Sequence, residues 1–261
     1  MAPKPARTRQ SKRHDADAGG DPEVLAAKAA LREQVWADLD RPGVARFPKP
    51  ANRIPNFVGA EAAARRLRET PEWAAASTLK SNPDSPQWPV RTLALEDGKV
   101  VYMAVPRLAE PDPFFLLDPA HLRDAPRAAS SIKGASRSAR TVDVDELEPV
   151  DLVVTGCVAV DESGARLGKG GGFSDLELAV AAEAGLVDAH TVVVTTVHEL
   201  QVLPSGTIPT TEHDIHVDVI VTPDQVLRCR RARGWKLPHV RWPDLTDEKI
   251  ASIPLLQRLR A

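Results

Sequence analysis

Hydrophobic and polar residues follow helical spacing near the start of the chain. Asp21, Pro22 and Glu23 combine an N-cap acid, a first-turn proline and a second acid, which together predict a helix start. Apolar residues then recur on one face as far as Leu39, and an Arg-Pro-Gly stretch follows. We therefore expect one helix over this segment and a second, Ala- and Arg-rich helix over residues 59–70.

Short apolar runs without helical spacing predict strands. These runs are residues 90–95, 100–105, 151–160, 191–197 and 218–222. The Asp-Gly pair between the first two can close a β-hairpin, although a helix leading into a parallel strand also fits. The third run is continuously apolar, as expected for a strand covered on both faces. The alternation of helices and apolar strands predicts an α/β fold with a mostly parallel central sheet.

Three segments lack this alternation. Residues 1–20 mix Pro, Gly, Lys, Arg and Asp, which predicts a disordered basic tail. Residues 106–149 contain one short apolar run and are expected to form a long surface excursion. Residues 227–261 are expected to form a basic C-terminal extension with an amphipathic helix over about residues 246–259. The α/β domain is therefore expected to span residues 21–226.

Length and composition narrow the class of protein. The chain has 261 residues, 27% charged and 43% hydrophobic, which suits one large α/β domain or two small ones. No apolar run approaches the roughly 20 residues of a membrane helix or resembles a signal peptide, so we expect a cytoplasmic protein without a membrane partner. Cys157 and Cys229 lie far apart without a Cys/His cluster, so they are expected to be buried or bystander thiols.

The net charge of −2 conceals a pattern of acidic body and basic ends. Residues 1–13 carry five Lys/Arg and no acid, and residues 228–261 carry nine Lys/Arg against three Asp/Glu. An acidic body disfavours nucleic acid, which needs a continuous positive face. The basic ends leave RNA binding open as an alternative, with Trp235 and Trp242 stacking on bases. The favoured interpretation is that these tryptophans clamp the extension onto the body.

A glycine loop carries the strongest chemical signal. Four of the five residues from Gly168 to Gly172 are glycine, and a helix is expected to follow to about Ala184. Successive N–H groups of such a loop, at the N-terminus of a helix, can cradle phosphate, and Arg166 and Lys169 add positive charge. The loop is neither a Walker A motif nor a GxGxxG dinucleotide motif. A flexible surface turn is the alternative.

A second cluster lies at residues 209–218, which include three acids and two histidines within seven residues. The histidine spacing in a loop does not define a zinc site. An oxygen site for Mg²⁺, built from Asp175 and Asp214 and shared with phosphate, fits better. The alternative is a capped turn before the next strand.

Together these features resemble the 5-formyltetrahydrofolate cyclo-ligase family over residues 25–223. The resemblance rests on four segments in order: Lys28-Ala-Ala-Leu31-Arg32, then Gly98-Lys99-Val100 to Val105-Pro106-Arg107, then Gly164 through Asp175, then Pro209 through Glu212-His213-Asp214 to Thr222. It implies a three-layer αβα fold of the NagB/RpiA/CoA-transferase type. It also implies an ATP- and Mg²⁺-dependent conversion of 5-formyltetrahydrofolate to 5,10-methenyltetrahydrofolate, with release of ADP and phosphate through a phosphorylated formyl intermediate.

The resemblance assigns roles by position. The implied ATP site comprises Lys28, Arg32, Arg166, Gly168, Lys169, Gly170, Gly171, Gly172, Phe173 and Asp175, with Arg166 and Lys169 as catalytic residues. Asp175 and Asp214 would place Mg²⁺, and Phe173 and Trp88 would contact the folate. The expected partner is a small folate substrate, and the expected state is a monomer or weak homodimer.

The chain departs from the family pattern on the substrate side. The family loop usually ends Gly-Tyr-Tyr-Asp-Arg, whereas this chain has Gly172-Phe173-Ser174-Asp175-Leu176. Its pattern is closer to a divergent branch called methenyltetrahydrofolate synthetase domain-containing proteins. The lost tyrosines and arginine motivate an alternative function, a catalytically impaired nucleotide- or folate-binding protein, or an RNA-associated regulatory protein, on the same fold.

Overall fold

The computed structural model describes residues 21–211, 214–231 and 236–260, and these build a large sheet with helices on both faces. The helices are α1 (Pro22–Leu39), α2 (Ala60–Arg68), α3 (Pro71–Ala75), α4 (Trp88–Glu96), α5 (Pro126–Ala129), α6 (Ile132–Ser138), α7 (Phe173–Glu183), α8 (Asp247–Ser252) and α9 (Pro254–Arg260). The strands are β1 (Thr78–Ser81), β2 (Val100–Ala104), β3 (Phe114–Leu117), β4 (Arg140–Val142), β5 (Leu152–Val154), β6 (Ala159–Asp161), β7 (Arg166–Leu167), β8 (Val192–Thr196), β9 (Val202–Leu203), β10 (Val219–Val221) and β11 (Val226–Arg228).

The main sheet has the strand order β11-β10-β8-β5-β1-β2-β3-β4. The five strands from β10 to β2 are parallel to one another, and the outer strands β11, β3 and β4 run antiparallel. A smaller sheet of β7, β6 and β9 packs with α1. The predicted mostly parallel α/β sheet is therefore confirmed.

Side-chain alternation along the central strands divides the core into two layers. Val101 and Met103 of β2 pack on one face, against α2, α3 and α4, whereas Tyr102 and Ala104 pack on the other, against α7 and the C-terminal helices. Both faces of the sheet are thus covered by helices, as parallel sheets require. The three-layer αβα architecture is confirmed.

The helix start at the beginning of the domain is also confirmed. The Asp21 side chain accepts a hydrogen bond from the Glu23 backbone N–H, and Pro22 occupies the first turn of α1. Helix α2 lies inside the predicted residues 59–70. Residues 1–20, for which the sequence predicts a tail, lie outside the described residues, as does Trp235.

The predicted strand at residues 90–95 is wrong, because these residues form most of helix α4. Gly98 ends the helix in the left-handed conformation at φ +76°, and its N–H donates to the carbonyl of Leu95. The Asp-Gly pair is therefore a helix end and not a hairpin turn. A parallel connection from β1 to β2 needs a crossover, which α4 supplies.

Two further predictions need correction. Residues 106–149 are not only a surface excursion, since they contribute β3 and β4, and Phe114 and Leu117 are buried. The apolar run 151–160 is not one strand: β5 belongs to the main sheet and β6 to the small sheet. The apolar run is continuous because it contains two buried strands that belong to two different sheets.

The C-terminal segment is held against the domain. Strand β11 crosses residue 226, the expected domain limit, and pairs with β10. The expected single helix is two, α8 and α9, because Pro254 cannot continue a helix begun before it. Arg228 pairs with Glu72, Arg231 with Asp218 and Arg258 with Asp143. Three basic residues of this segment thus meet acids of the body, and Trp242 packs against the core, which agrees with the clamp interpretation. None of the helices in the described ranges is long and apolar enough to cross a membrane.

Candidate functional site

A pocket of about 280 Å³ lies at the point in the main sheet where the order of strand addition reverses. From β1 the chain proceeds through α4 to β2 on one side, whereas β5, β8 and β10 follow on the other. Crevices at the carboxyl ends of strands at such a switch point are the usual ligand sites of open α/β sheets. Residues 82–85 after β1, 106–107 after β2 and the glycine loop before α7 all line this pocket.

The glycine loop forms one wall of the pocket. Gly170 and Gly172 have φ values of +99° and +59°, which favour glycine. Gly172 is the N-cap of α7 and has no side chain that could cap the first N–H groups of the helix, which no side chain of the described residues caps in its place. Such an uncapped N-terminus favours an anion.

Arg166 is fixed inside this wall, with 3% of its surface exposed. Its Nη1 donates to the carbonyl of Gly156 at 2.9 Å, and its Nη2 donates to Oδ1 of Asp175 at 2.7 Å. Burial opposes charge on both side chains, but their mutual attraction prevails, so the pKa of Arg166 is raised and that of Asp175 is lowered. The buried Nε of Arg166 has no hydrogen-bond partner among the described residues.

Asp84 faces the glycine loop from the end of β1. Its Oδ1 lies 3.9 Å from Nζ of Lys169. Burial raises the pKa of Asp84 despite the nearby positive charges of Lys169 and Arg91. The Arg91 guanidinium, buried and with its pKa lowered to about 10 by desolvation, donates to the carbonyls of Asn82 and Asp84. Arg91 therefore shapes the segment that presents Asp84.

Lys28 and Arg32 approach the loop from α1. Arg32 Nε donates to the carbonyl of Gly168 at 2.7 Å. Lys28 Nζ contacts both carboxylate oxygens of Asp214, at 2.7 and 2.9 Å. Neither cation lines the pocket. The two residues predicted to contact phosphate therefore brace the loop and the segment that carries Asp214.

The site fits a polyphosphate better than a ready-made metal centre. The open N–H groups of α7, the unpartnered Arg166 Nε and Lys169 are donors suited to phosphate. Asp175 lines the pocket, whereas Asp214 is engaged with Lys28. No group of three His, Cys, Asp or Glu side chains within the described ranges could hold a metal ion. Glu212 and His213 of the second sequence cluster lie outside the described residues.

Sequence reasoning missed the polar floor of the pocket. Lys80 of β1 pairs with Glu177 of α7 at 2.5 Å, and Asn82 Nδ2 donates to the same Glu177 oxygen at 2.7 Å. Lys80 and Glu177 are 97 positions apart. Glu177 closes the GKGxGFxDLE pattern of residues 168–177, but that pattern does not identify Lys80 as its partner. The one available signal is the period-two alternation that places Lys80 on the α7 face of the sheet, beside Tyr102 and Val153.

The two residues expected to contact folate separate in the structure. Phe173 lines the pocket. Trp88 does not: its indole N–H donates to the carbonyl of Arg127 at 3.0 Å, and the Arg127 guanidinium lies 4.5 Å from its ring centroid. Exposed Arg53 and Arg107 lie at the pocket instead.

The sequence profile of the 5-formyltetrahydrofolate cyclo-ligase family matches residues 24–223. The chain belongs to this family. It is 38% identical over 237 residues to the mouse methenyltetrahydrofolate synthase domain-containing protein, covering 90% of this chain and 63% of that protein. It is 36% identical over 244 residues to the human protein of the same name, covering 91% of this chain and 62% of that protein. The chain thus spans less than two thirds of these curated relatives.

A solved structure shares the fold of this cyclo-ligase family member. The NMR structure of 5,10-methenyltetrahydrofolate synthetase from Aquifex aeolicus has a TM-score of 0.50 and 19% identity, covering 80% of this chain and 96% of that one. The family match ends at residue 223, before β11, α8 and α9. The C-terminal helices therefore lie outside the segment that defines the family.

Proposed function

We propose that this protein catalyses the ATP-dependent closure of 5-formyltetrahydrofolate to 5,10-methenyltetrahydrofolate, releasing ADP and phosphate. The supporting observation is the convergence of the uncapped α7 N-terminus, buried Arg166 and Lys169 on one pocket at the switch point of the sheet. These are groups that bind and activate phosphate, and membership of the cyclo-ligase family supplies the folate substrate class.

The reaction needs activation because a formyl oxygen is a poor leaving group. In the proposed sequence this oxygen attacks the γ-phosphorus of ATP and ADP departs; N10 then bonds to the activated carbon, the carbon–oxygen bond breaks and phosphate leaves. The N–H groups of the glycine loop, Arg166 and Lys169 stabilise negative charge on the transferring phosphoryl group. We assign to Asp84, whose pKa burial raises, the uptake of the N10 proton.

The remaining contacts orient the two substrates. Phe173 presents an aromatic ring to the flat pterin, and Asn82 and Glu177 supply hydrogen-bonding groups at the floor of the pocket. Lys80 lies behind them and holds Glu177 in place. A magnesium ion bound with ATP would neutralise phosphate charge, and Asp175 is the carboxylate in the pocket suited to hold it. Asp175 is chosen although its Oδ1 accepts from Arg166, because it lines the pocket. Asp214 is not part of this assignment, because it does not line the pocket and Lys28 contacts both of its carboxylate oxygens.

The test is direct. Purified protein is mixed with 5-formyltetrahydrofolate, ATP and Mg²⁺, and the absorbance of the methenyl product is followed, with an active enzyme of the family measured in parallel. Growth of the product band that requires ATP is expected. Absence of turnover beside the active control would overturn the proposal.

A second candidate function is nucleotide binding without ring closure. It is favoured by Phe173-Ser174 and Leu176, which stand where the family loop usually carries two tyrosines and an arginine. This candidate predicts that calorimetry detects ATP binding while no methenyl product forms. A protein without nucleotide affinity would exclude it.

A further inference from the structure

Helix α8 is firmly attached to the layer that contains α7. Ile250, Ile253, Leu255 and Leu256 are at most 7% exposed and belong to the same core cluster as Leu176 and Val180 of α7. The Glu183 carboxylate at the end of α7 also accepts a hydrogen bond from the Val240 N–H at 2.7 Å. A side chain that extends from α8 toward the glycine loop is therefore anchored by a buried apolar contact.

Lys249 is that side chain. Its Nζ donates to the carbonyl of Gly171 at 3.2 Å and lies 5.3 Å from the ring centroid of Phe173. Gly171 and Phe173 both line the pocket, on either side of the N-cap of α7. One ammonium group thus contacts the glycine loop through a backbone carbonyl and through an aromatic face.

The ammonium group of Lys249 lies at the N-terminus of α7, where the helix dipole disfavours a cation. The N-terminus of α7 carries the positive end of the helix dipole, and Arg166 and Lys169 add further positive charge. Arg166 is almost completely buried and its Nε has no partner among the described residues. Asp175 and Asp84 neutralise part of this charge. A multivalent anion such as a triphosphate complements the rest, which includes the helix N-terminus and Lys249.

We propose that Lys249 is a positioning residue of the nucleotide site, holding the glycine loop in its phosphate-binding shape from a helix outside the family-defining segment. The inference rests on the proposed function for the identity of the anion. This role makes the C-terminal extension part of the site, because Lys249 lies in α8, beyond residues 24–223 that match the family.

The experiment compares Lys249→Met, Lys249→Arg and the wild-type chain. Lys236→Met is the matched control, because Lys236 is an exposed cation of the same C-terminal segment. Hydrogen–deuterium exchange over residues 168–175 reports the shape of the loop, and calorimetry with ATP reports its affinity. We expect Lys249→Met to accelerate exchange in the loop and to raise the Kd for ATP about tenfold. Lys249→Arg and Lys236→Met are expected to stay within about twofold of wild type, since arginine keeps the charge, the donor and the cation–π contact.

Two outcomes separate this inference from the proposed function. If Lys249→Met exchanges its loop amides at the wild-type rate, the positioning role is overturned, whether or not ATP binds. If the wild-type chain binds no ATP, the proposed function fails, and accelerated exchange in Lys249→Met would still support the contact with the loop. Unfolding of the variant is recognised by exchange in β1 and β5, which a local effect leaves unchanged.

Discussion

Lys80 and Glu177 form an ion pair that joins the central strand β1 to helix α7 beneath the pocket. Their Nζ and Oε2 atoms are 2.5 Å apart, and the two side chains are 2% and 4% exposed. Asn82 donates to the same carboxylate oxygen. Burial raises the pKa of Glu177 although Lys80 stabilises its charged form, so the carboxylate depends on these partners.

Lys80→Met should destabilise the protein by about 3–5 kcal/mol at pH 7, because it leaves a carboxylate buried without its cation. Urea unfolding measures the loss. The double variant Lys80→Met/Glu177→Leu should recover most of it, since both charges are then replaced by apolar groups. A double variant as unstable as the single one would contradict the pairing as the cause.

Arg166→Lys should weaken ATP binding by about tenfold to a hundredfold while the fold is retained. A lysine keeps one charge but replaces the two separate Nη donors that reach Gly156 and Asp175 by a single ammonium group, and it has no equivalent of the Nε–H. Calorimetry with ATP measures the change. Arg41→Lys, at an exposed pair with Asp38, is the matched control and should bind as the wild type does. Equal affinity of Arg166→Lys and wild type would remove Arg166 from the phosphate site.

Asp214→Asn should lower stability and leave the magnesium requirement unchanged. Lys28 is 6% exposed, and the substitution removes its carboxylate partner, at an expected cost of about 2 kcal/mol. Urea unfolding and a magnesium titration of turnover are measured on the same preparation. Asp145→Asn, at an exposed carboxylate, is the control. A variant of normal stability that requires more magnesium would restore Asp214 as a metal ligand.

Asp151→Asn should flatten the acid side of the stability profile. Oδ2 of Asp151 accepts hydrogen bonds from the N–H groups of Ser77 and Thr78. Desolvation raises the pKa of Asp151, but these hydrogen bonds lower it by a larger amount, so the pKa lies below its ordinary value. A carboxylate with a lowered folded pKa contributes stability above its unfolded pKa of about 3.9 and loses it as the pH falls through the folded pKa. The contribution at pH 7 is about 1 kcal/mol, because Asp151 is partly exposed and water screens the interaction. Urea unfolding from pH 7 to 2 measures the free energy of unfolding at each pH. If it falls equally steeply with pH in the wild type and in Asp151→Asn, this role is refuted.

Much of the site could be predicted from sequence because its parts are local. The glycines, Arg166, Lys169 and the start of α7 lie within twelve consecutive residues, and a glycine-rich loop before a helix is a common way to bind an anion. The interpretation of residues 90–95 failed for a related reason. A short apolar run ending in Asp-Gly suits a strand and a helix equally well, and the need for a crossover between parallel strands decided between them.

The sequence by itself determined α1, strands β2, β8 and β10, the glycine loop before α7 and the family to which the chain belongs, whereas it gave no sign of the central strand β1. Only the tertiary structure decided which charges meet: Lys80 with Glu177, Lys28 with Asp214, and Lys249 with the glycine loop. These partners are 97, 186 and 78 positions apart. Local propensity and periodicity act over a few residues, whereas these contacts arise when the sheet brings strands and helices of distant segments to one edge.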